Sequence, residues 1–156
     1  MRIKGSRLTA FIILLVIIRL CVNCTPESCL EETVSTLNAT FYKTGSTQVS
    51  VADSITIFGI GKETNKIYDK TPKVSFIKLP LDASSGTCGF VMKINTVTDT
   101  LRITYSSYPH LISKECGLVF FFTLKSYQVS GTTVDTIIFR NSNIATFNEE
   151  NIRIFY

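Results

Sequence analysis

From residue 33 onward the chain is a succession of short runs of β-branched and aromatic residues, separated by turn formers. In several runs apolar and polar residues alternate, as Leu101, Ile103 and Tyr105 do with their neighbours. This alternation is typical of strands with one buried face, and no stretch has the i, i+3, i+4 spacing of a long amphipathic helix. The pattern predicts an all-β protein: a two-sheet antiparallel β-sandwich of about eight or nine strands.

Three of the predicted strands stand out from the others. Residues 89–97 and 100–105 form the best hairpin signal, with a turn at Thr98 and Asp99. Residues 117–124 are the most apolar run, which predicts a central strand buried on both faces. Further strands are predicted at residues 34–42, 48–51, 54–58, 73–79, 133–140 and 151–156.

The predicted plan is shared in general terms with immunoglobulin-like and CUB-like modules. The chain has no Trp, so the Cys…Trp…Cys spacing of immunoglobulin domains is absent. The close Cys24 and Cys29 also fit poorly with the two separate disulfides of CUB-like modules. The resemblance is therefore limited to the general plan of the sandwich.

Residues 1–24 have the composition of a secretory signal peptide. Three basic residues, Arg2, Lys4 and Arg7, precede an apolar stretch at residues 8–18. A membrane-spanning helix needs roughly 20 apolar residues, and Arg19 interrupts this stretch. We therefore expect cleavage within about three residues of position 24. Residues 25–156 would form one soluble, secreted, extracellular domain with no stable membrane anchor.

Removal of this leader changes the charge balance. It contains four of the 16 basic residues and no acidic residue, which leaves twelve basic against twelve acidic residues in the mature chain. A neutral chain with scattered lysines lacks the basic patch that nucleic-acid binding needs. Nucleic acid is therefore not an expected partner.

The cysteines constrain the cleavage point because an oxidising compartment favours complete pairing. Cys88 and Cys116 each lie at the probable start of a strand and are the preferred disulfide pair, and Cys24–Cys29 would close a small loop. Removal of Cys24 with the leader would instead leave Cys29 to form a disulfide-linked dimer or to stay unpaired. Four cysteines allow three connectivities, so the alternatives remain open.

Asn38-Ala39-Thr40 is a sequon for N-glycosylation. In a secreted protein this motif predicts a glycan on Asn38.

Residues that could perform catalysis are few. His110 is the one histidine in the sequence, and no Gly-x-Ser-x-Gly nucleophile elbow accompanies it. Glu149 and Glu150 are adjacent and would project to different faces of a strand. The sequence therefore predicts a protein that is not an enzyme and has no metal or other cofactor.

Tyr105, Tyr108 and His110 are expected to lie in or beside one loop, which is the first candidate for a recognition surface. The favoured function is a non-enzymatic module that binds another extracellular or cell-surface protein, with host defence or immune modulation as one setting.

The alternative function is a carrier that holds a lipid or another apolar ligand between its sheets. Such a cavity would be lined by Phe90, Met92, Phe139 and the apolar residues 120–122.

Overall fold

A computed structural model describes residues 29–156, so the leader and Cys24 lie outside the described residues. No helix in the described range has the length and apolarity needed to cross a membrane. The strands assigned in this range are β1 (Thr36–Tyr42), β2 (Ala52–Gly59), β3 (Lys66–Val74), β4 (Phe76–Pro80), β5 (Thr87–Ile94), β6 (Val97–Ser113), β7 (Gly117–Ser130), β8 (Thr136–Phe139), β9 (Asn143–Ile144) and β10 (Ile152–Phe155).

The strands form two sheets, which confirms the predicted all-β sandwich. One sheet has four strands in the order β4-β1-β10-β8, and the other has six in the order β3-β2-β5-β6-β7-β9. Neighbouring strands are antiparallel except for β1 and β10, which pair in parallel with Ala39 opposite Ile152.

The core lies between the sheets because alternate residues of each strand point inward. Both sheets contribute to a single apolar cluster, and full burial of each large aliphatic side chain contributes about 1.5–3 kcal/mol. Its most deeply buried large residues are Phe41, Leu37, Ile77 and Leu79 from the first sheet, and Ile55, Ile57, Phe90, Met92, Ile94, Leu101, Ile103 and Tyr105 from the second.

Strands β3 and β9 were not predicted, and one predicted strand divides in two. Strand β3 is largely exposed and contains Pro72, features that weaken a sequence signal but suit the edge of a sheet. The predicted strand 73–79 divides at Ser75, where the chain leaves β3 in one sheet and enters β4 in the other. The predicted strand at residues 48–51 is reduced to an isolated β-bridge between Val49 and Tyr42.

The predicted β5–β6 hairpin forms, but its turn lies elsewhere. Ile94 pairs with Val97, so the turn contains Asn95, which has a left-handed φ of 55°. Asparagine tolerates that conformation better than most residues. Asp99, expected in the turn, therefore belongs to β6.

The carboxylate of Asp99 is buried and organises the loop that follows β7. Its Oδ1 accepts a hydrogen bond from the backbone N–H of Thr132 at 3.0 Å, and its Oδ2 accepts from Thr133 at 2.9 Å and Val134 at 2.6 Å. Gly131 has a φ of 145°, and a Cβ there would overlap this carboxylate. The close approach explains why the loop begins with glycine.

We expect Asp99→Asn to destabilise the fold, since the amide supplies one acceptor oxygen in place of two and directs its N–H₂ at backbone donors. The expected loss is about 1–3 kcal/mol in the free energy of unfolding, measured by denaturant titration. Asp53→Asn, on an exposed position of β2, is the matched control and should change stability little. An equal effect of both substitutions would contradict this role for Asp99.

Asn38, the predicted glycosylation site, is buried with 1% of its surface exposed. Its Nδ2 donates to the backbone oxygens of Glu149 at 3.0 Å and Phe147 at 3.5 Å. Its backbone N–H donates to Oδ1 of Asn151 at 3.0 Å. A glycan on Nδ2 would occupy the space of these contacts. The prediction of a glycan on Asn38 is therefore wrong for the folded chain.

Asn38→Ala should lower the free energy of unfolding by about 1–3 kcal/mol, because it removes a buried amide and leaves the backbone oxygens of Glu149 and Phe147 without this donor. Thermal or chemical denaturation measures this loss, and Asn65→Ala, at an exposed position, is the control. The intact mass of the folded protein from a secretory eukaryotic cell should show no glycan at Asn38. A glycan on folded material would contradict the structure.

Candidate functional site

The expected recognition loop is a strand. Tyr105, Tyr108 and His110 all lie on β6, which pairs with β7 along its length. Tyr105 is buried in the core, where its hydroxyl donates to the backbone oxygen of Asp82 at 2.9 Å and accepts from the Asp82 N–H at 3.1 Å. Burial raises the pKa of this phenol. Tyr105 is therefore a structural residue, and its place in the predicted recognition surface is wrong.

The structure does bring Tyr108 and His110 together on one face of the β6–β7 hairpin. The His110 ring stacks on Phe121 with centroids 4.4 Å apart, and Tyr108 packs edge-on against the same ring at 6.1 Å. A shallow groove beside them is bordered by Glu31 and Phe147. These rings form a continuous aromatic surface.

The other face of the same hairpin is more apolar, and we call it the apolar hairpin face. It consists of Pro109, Leu111, Leu118 and Phe120, in the cross-strand pairs Pro109–Phe120 and Leu111–Leu118. The side chains of Leu111, Leu118 and Phe120 are 59%, 68% and 46% exposed. The expectation that residues 117–124 are buried on both faces is therefore wrong for the first half of this run.

The apolar hairpin face extends the core face of β7 beyond the sandwich. Phe122 and Leu124 lie on the same side of the strand as Leu118 and Phe120, yet they are buried in the core. Strand β9 pairs with β7 at Phe122 and Thr123, and no strand of the described residues pairs with residues 117–121 along that edge.

Beside the apolar hairpin face, the edge of β7 presents backbone groups that pair with no strand of the described residues. The Leu124 N–H donates across this edge to the Ser142 oxygen at 2.8 Å, so alternate residues direct their peptide groups the same way. The peptide groups of Leu118 and Phe120 therefore also point toward this edge, away from β6. Pro109, which has no N–H to donate, lies opposite Phe120, as expected for a pair without hydrogen bonds between β6 and β7.

A second candidate surface is a cleft of about 560 Å³ at one end of β5. Strand β2 ends at Gly59, opposite Phe90, so residues 87–89 of β5 extend past it. The turn between β2 and β3 forms one wall of the cleft, and residues 80–85 before β5 form the other.

Both walls are fixed by specific contacts. Ile60 donates its N–H to the Gly89 oxygen at 3.0 Å and packs where a side chain on residue 89 would stand. The opposite wall is held by Tyr105 at Asp82 and by Ser107, whose hydroxyl donates to the Ala83 oxygen at 2.8 Å. Sequence reasoning missed this cleft because residues distant in the chain create it.

The cysteines differ from the predicted pairing. Cys88 lies within β5, not before it, and its thiol is free, whereas Cys29 and Cys116 form a disulfide. Both Cys88–Cys116 and Cys24–Cys29 are therefore wrong in this structure. Cys29 in this bond also has no thiol with which to link two chains.

Cys88 is half-buried and lines the cleft, with its Sγ 4.0 Å from the Pro80 oxygen. Burial raises the pKa of this thiol. It is therefore protonated at neutral pH and a poor nucleophile.

Cys116→Ser should lower the free energy of unfolding by about 4 kcal/mol or less, because it removes a crosslink that closes a long loop. Cys88→Ala, the matched control, removes no crosslink and should cost clearly less. Denaturation under non-reducing conditions measures both. Non-reducing peptide mapping that joins Cys88 to Cys116 would refute the observed pairing.

The two adjacent glutamates have structural partners. Glu150 accepts from Nε of Arg153 at 2.8 Å and from the Tyr42 hydroxyl at 3.1 Å. Burial opposes ionisation of Glu150, but these hydrogen bonds outweigh it and lower the pKa of the carboxyl. Glu149 accepts from Nδ2 of Asn141 at 2.8 Å. The two carboxylates thus tie residues 141–153 together.

Metal ligands are not clustered in the described part of the chain: no three His, Cys, Asp or Glu side chains there could hold one ion. The described residues thus present two candidate surfaces, the apolar hairpin face and the cleft at the end of β5.

Residues 54–156 match the family of unknown function DUF6452, and the chain belongs to this family. The match begins within β2 and covers the hairpin, the cleft and the final strand. No curated protein and no solved structure matches the chain.

Proposed function

We propose that this protein is a secreted, non-enzymatic binding module that recognises an extracellular or cell-surface protein through the apolar hairpin face. The observation that carries this proposal is the exposure of Leu111, Leu118 and Phe120 side by side on one projecting ribbon. Exposed apolar side chains are normal singly, but a contiguous group is typical of interaction sites.

The backbone at this edge supports a partner that binds as an extended strand. Leu118 and Phe120 direct their peptide groups away from β6, and β9 covers only the next part of β7. A partner strand added there would gain main-chain hydrogen bonds, and the apolar side chains on alternate positions would supply specificity.

The packing of the core favours surface recognition over the alternative carrier function. Phe90, Met92 and Phe122 are buried in the core cluster, and Phe139 packs against it. Phe120, also expected to line a cavity, points to solvent. These side chains fill the space between the sheets that an internal ligand would need.

The experiment places a photo-crosslinking phenylalanine analogue at position 120 in protein secreted with its own leader, and at position 138 as a control. Ile138 is similarly exposed but lies on β8, in the other sheet. We expect position 120 to crosslink an extracellular protein that position 138 does not. Crosslinks to the same proteins from both positions, or to a second copy alone, would contradict the proposal.

The captured protein then permits an affinity measurement. Leu118→Glu with Phe120→Glu should weaken its binding at least about tenfold, because desolvated apolar contacts near the centre of an interface contribute most of its binding energy. Ile138→Glu should leave the affinity unchanged. Equal affinities for the hairpin variant and the unmodified protein would refute the role of this face.

A further inference from the structure

The cleft beside Cys88 has a lining that the proposed binding of a protein at the hairpin does not use. Its apolar surface comes from Ile60, Ile67 and Leu81, which are half-buried or exposed toward the opening. A volume of about 560 Å³ lies within the range of roughly 300–1,000 Å³ that small-molecule sites occupy.

The charged groups of the cleft are mostly positive. Lys62, Lys66 and Arg102 line it, against one carboxylate, Asp82. Lys66 already pairs with Asp69 at 2.9 Å, whereas Lys62 and Arg102 form no ion pair with a described residue. The Lys62 ammonium and the Arg102 guanidinium are therefore available to an incoming anion.

Asp82 offsets one of these positive charges, because its carboxylate and the Lys62 ammonium interact electrostatically, but it forms no ion pair with Lys62 or Arg102. Its Oδ1 accepts from the Ser84 N–H at 2.8 Å and from the Ser84 hydroxyl at 2.6 Å. The thiol of Cys88 is protonated and adds no negative charge. The cleft therefore combines a net positive rim with an apolar wall.

We infer that this cleft binds a small amphipathic anion, whose acidic group lies between Lys62 and Arg102 and whose apolar part packs on Ile60 and Leu81. A charged head with an apolar body matches both components of the lining, whereas a bare inorganic anion or a neutral hydrocarbon matches one. The site is separate from the hairpin, so the outcome at either site leaves the other proposal standing.

Cys88 provides a reporter at the site itself. A ligand in the cleft covers the thiol and should slow its alkylation by N-ethylmaleimide, a neutral reagent. Peptide mass spectrometry follows the modification of Cys88 separately from every other cysteine. Decanoate is the probe, and inorganic phosphate and decanol are its charge-only and apolar-only counterparts.

We expect decanoate to slow the alkylation of Cys88, and to do so at a concentration at which phosphate and decanol have little effect. The proposal is overturned if decanoate gives no protection. It is also overturned if phosphate or decanol protects Cys88 as well as decanoate does, because one component of the lining would then suffice.

The variant Lys62→Gln with Arg102→Gln tests the role of the two cations. It should need at least about tenfold more decanoate for equal protection, as expected when hydrogen bonds to charged groups are lost. Lys93→Gln with Lys125→Gln removes the same charge outside the cleft and should behave as the unmodified protein does.

Each variant is compared with itself in the absence of decanoate, so a change in the intrinsic reactivity of the thiol does not affect the result. All four positions are exposed, and circular dichroism establishes that each variant is folded. Equal protection in the Lys62/Arg102 variant and the unmodified protein would refute the assignment of the cations.

Discussion

The pair of buried amides, Asn38 and Asn151, holds together parts of the fold that the strand ladders alone do not connect. Asn151 accepts from the backbone of Asn38 on β1 and donates through Nδ2 to the oxygens of Asn141 and Asn143, each at 3.2 Å. Asn143 begins β9, which belongs to the other sheet. Asn38 and Asn151 are only 1% and 3% exposed, and their hydrogen bonds therefore link the two sheets in the interior and fix the long connection before β10. Buried polar groups are costly unless they are satisfied, so such a network specifies one arrangement.

Satisfaction of these amides depends on the parallel pairing of β1 and β10. Strand β10 brings the residues that follow Glu150 beside β1, so that Ala39 faces Ile152 and the side chains of Asn38 and Asn151 reach neighbouring backbone groups. Asn38-Ala39-Thr40 fits both the sequon for N-glycosylation and the pattern of a β-strand. Only the partner strand, more than a hundred residues away, decides between the two.

The sequence predicted the fold class, the β5–β6 hairpin and most strands because those features depend on local alternation of apolar and polar residues. The sequence did not predict burial correctly where it depends on whether another part of the chain packs against the strand. Residues 118 and 120 read as part of a buried apolar run, but the sandwich ends near Phe122, so these side chains remain in solvent. The sequence places Tyr105 beside a recognition loop because it does not show that β6 continues to Ser113, so that Tyr105 lies in the core and the strand projects beyond it.

The hairpin and the cleft are linked by the same strand. Along β6, Arg102 borders the cleft on the outer face, Tyr105 and Ser107 hold the wall formed by residues 80–85, and Leu111 reaches the apolar hairpin face. A strand of 17 residues is long enough to do this because β7 pairs with nearly all of it. The pairing of β5 ends at Thr104, which leaves the outer part of β6 with one neighbour. That termination creates the projecting ribbon, whereas the cleft lies where β2 ends at Gly59 and leaves residues 87–89 of β5 without a neighbouring strand on that side.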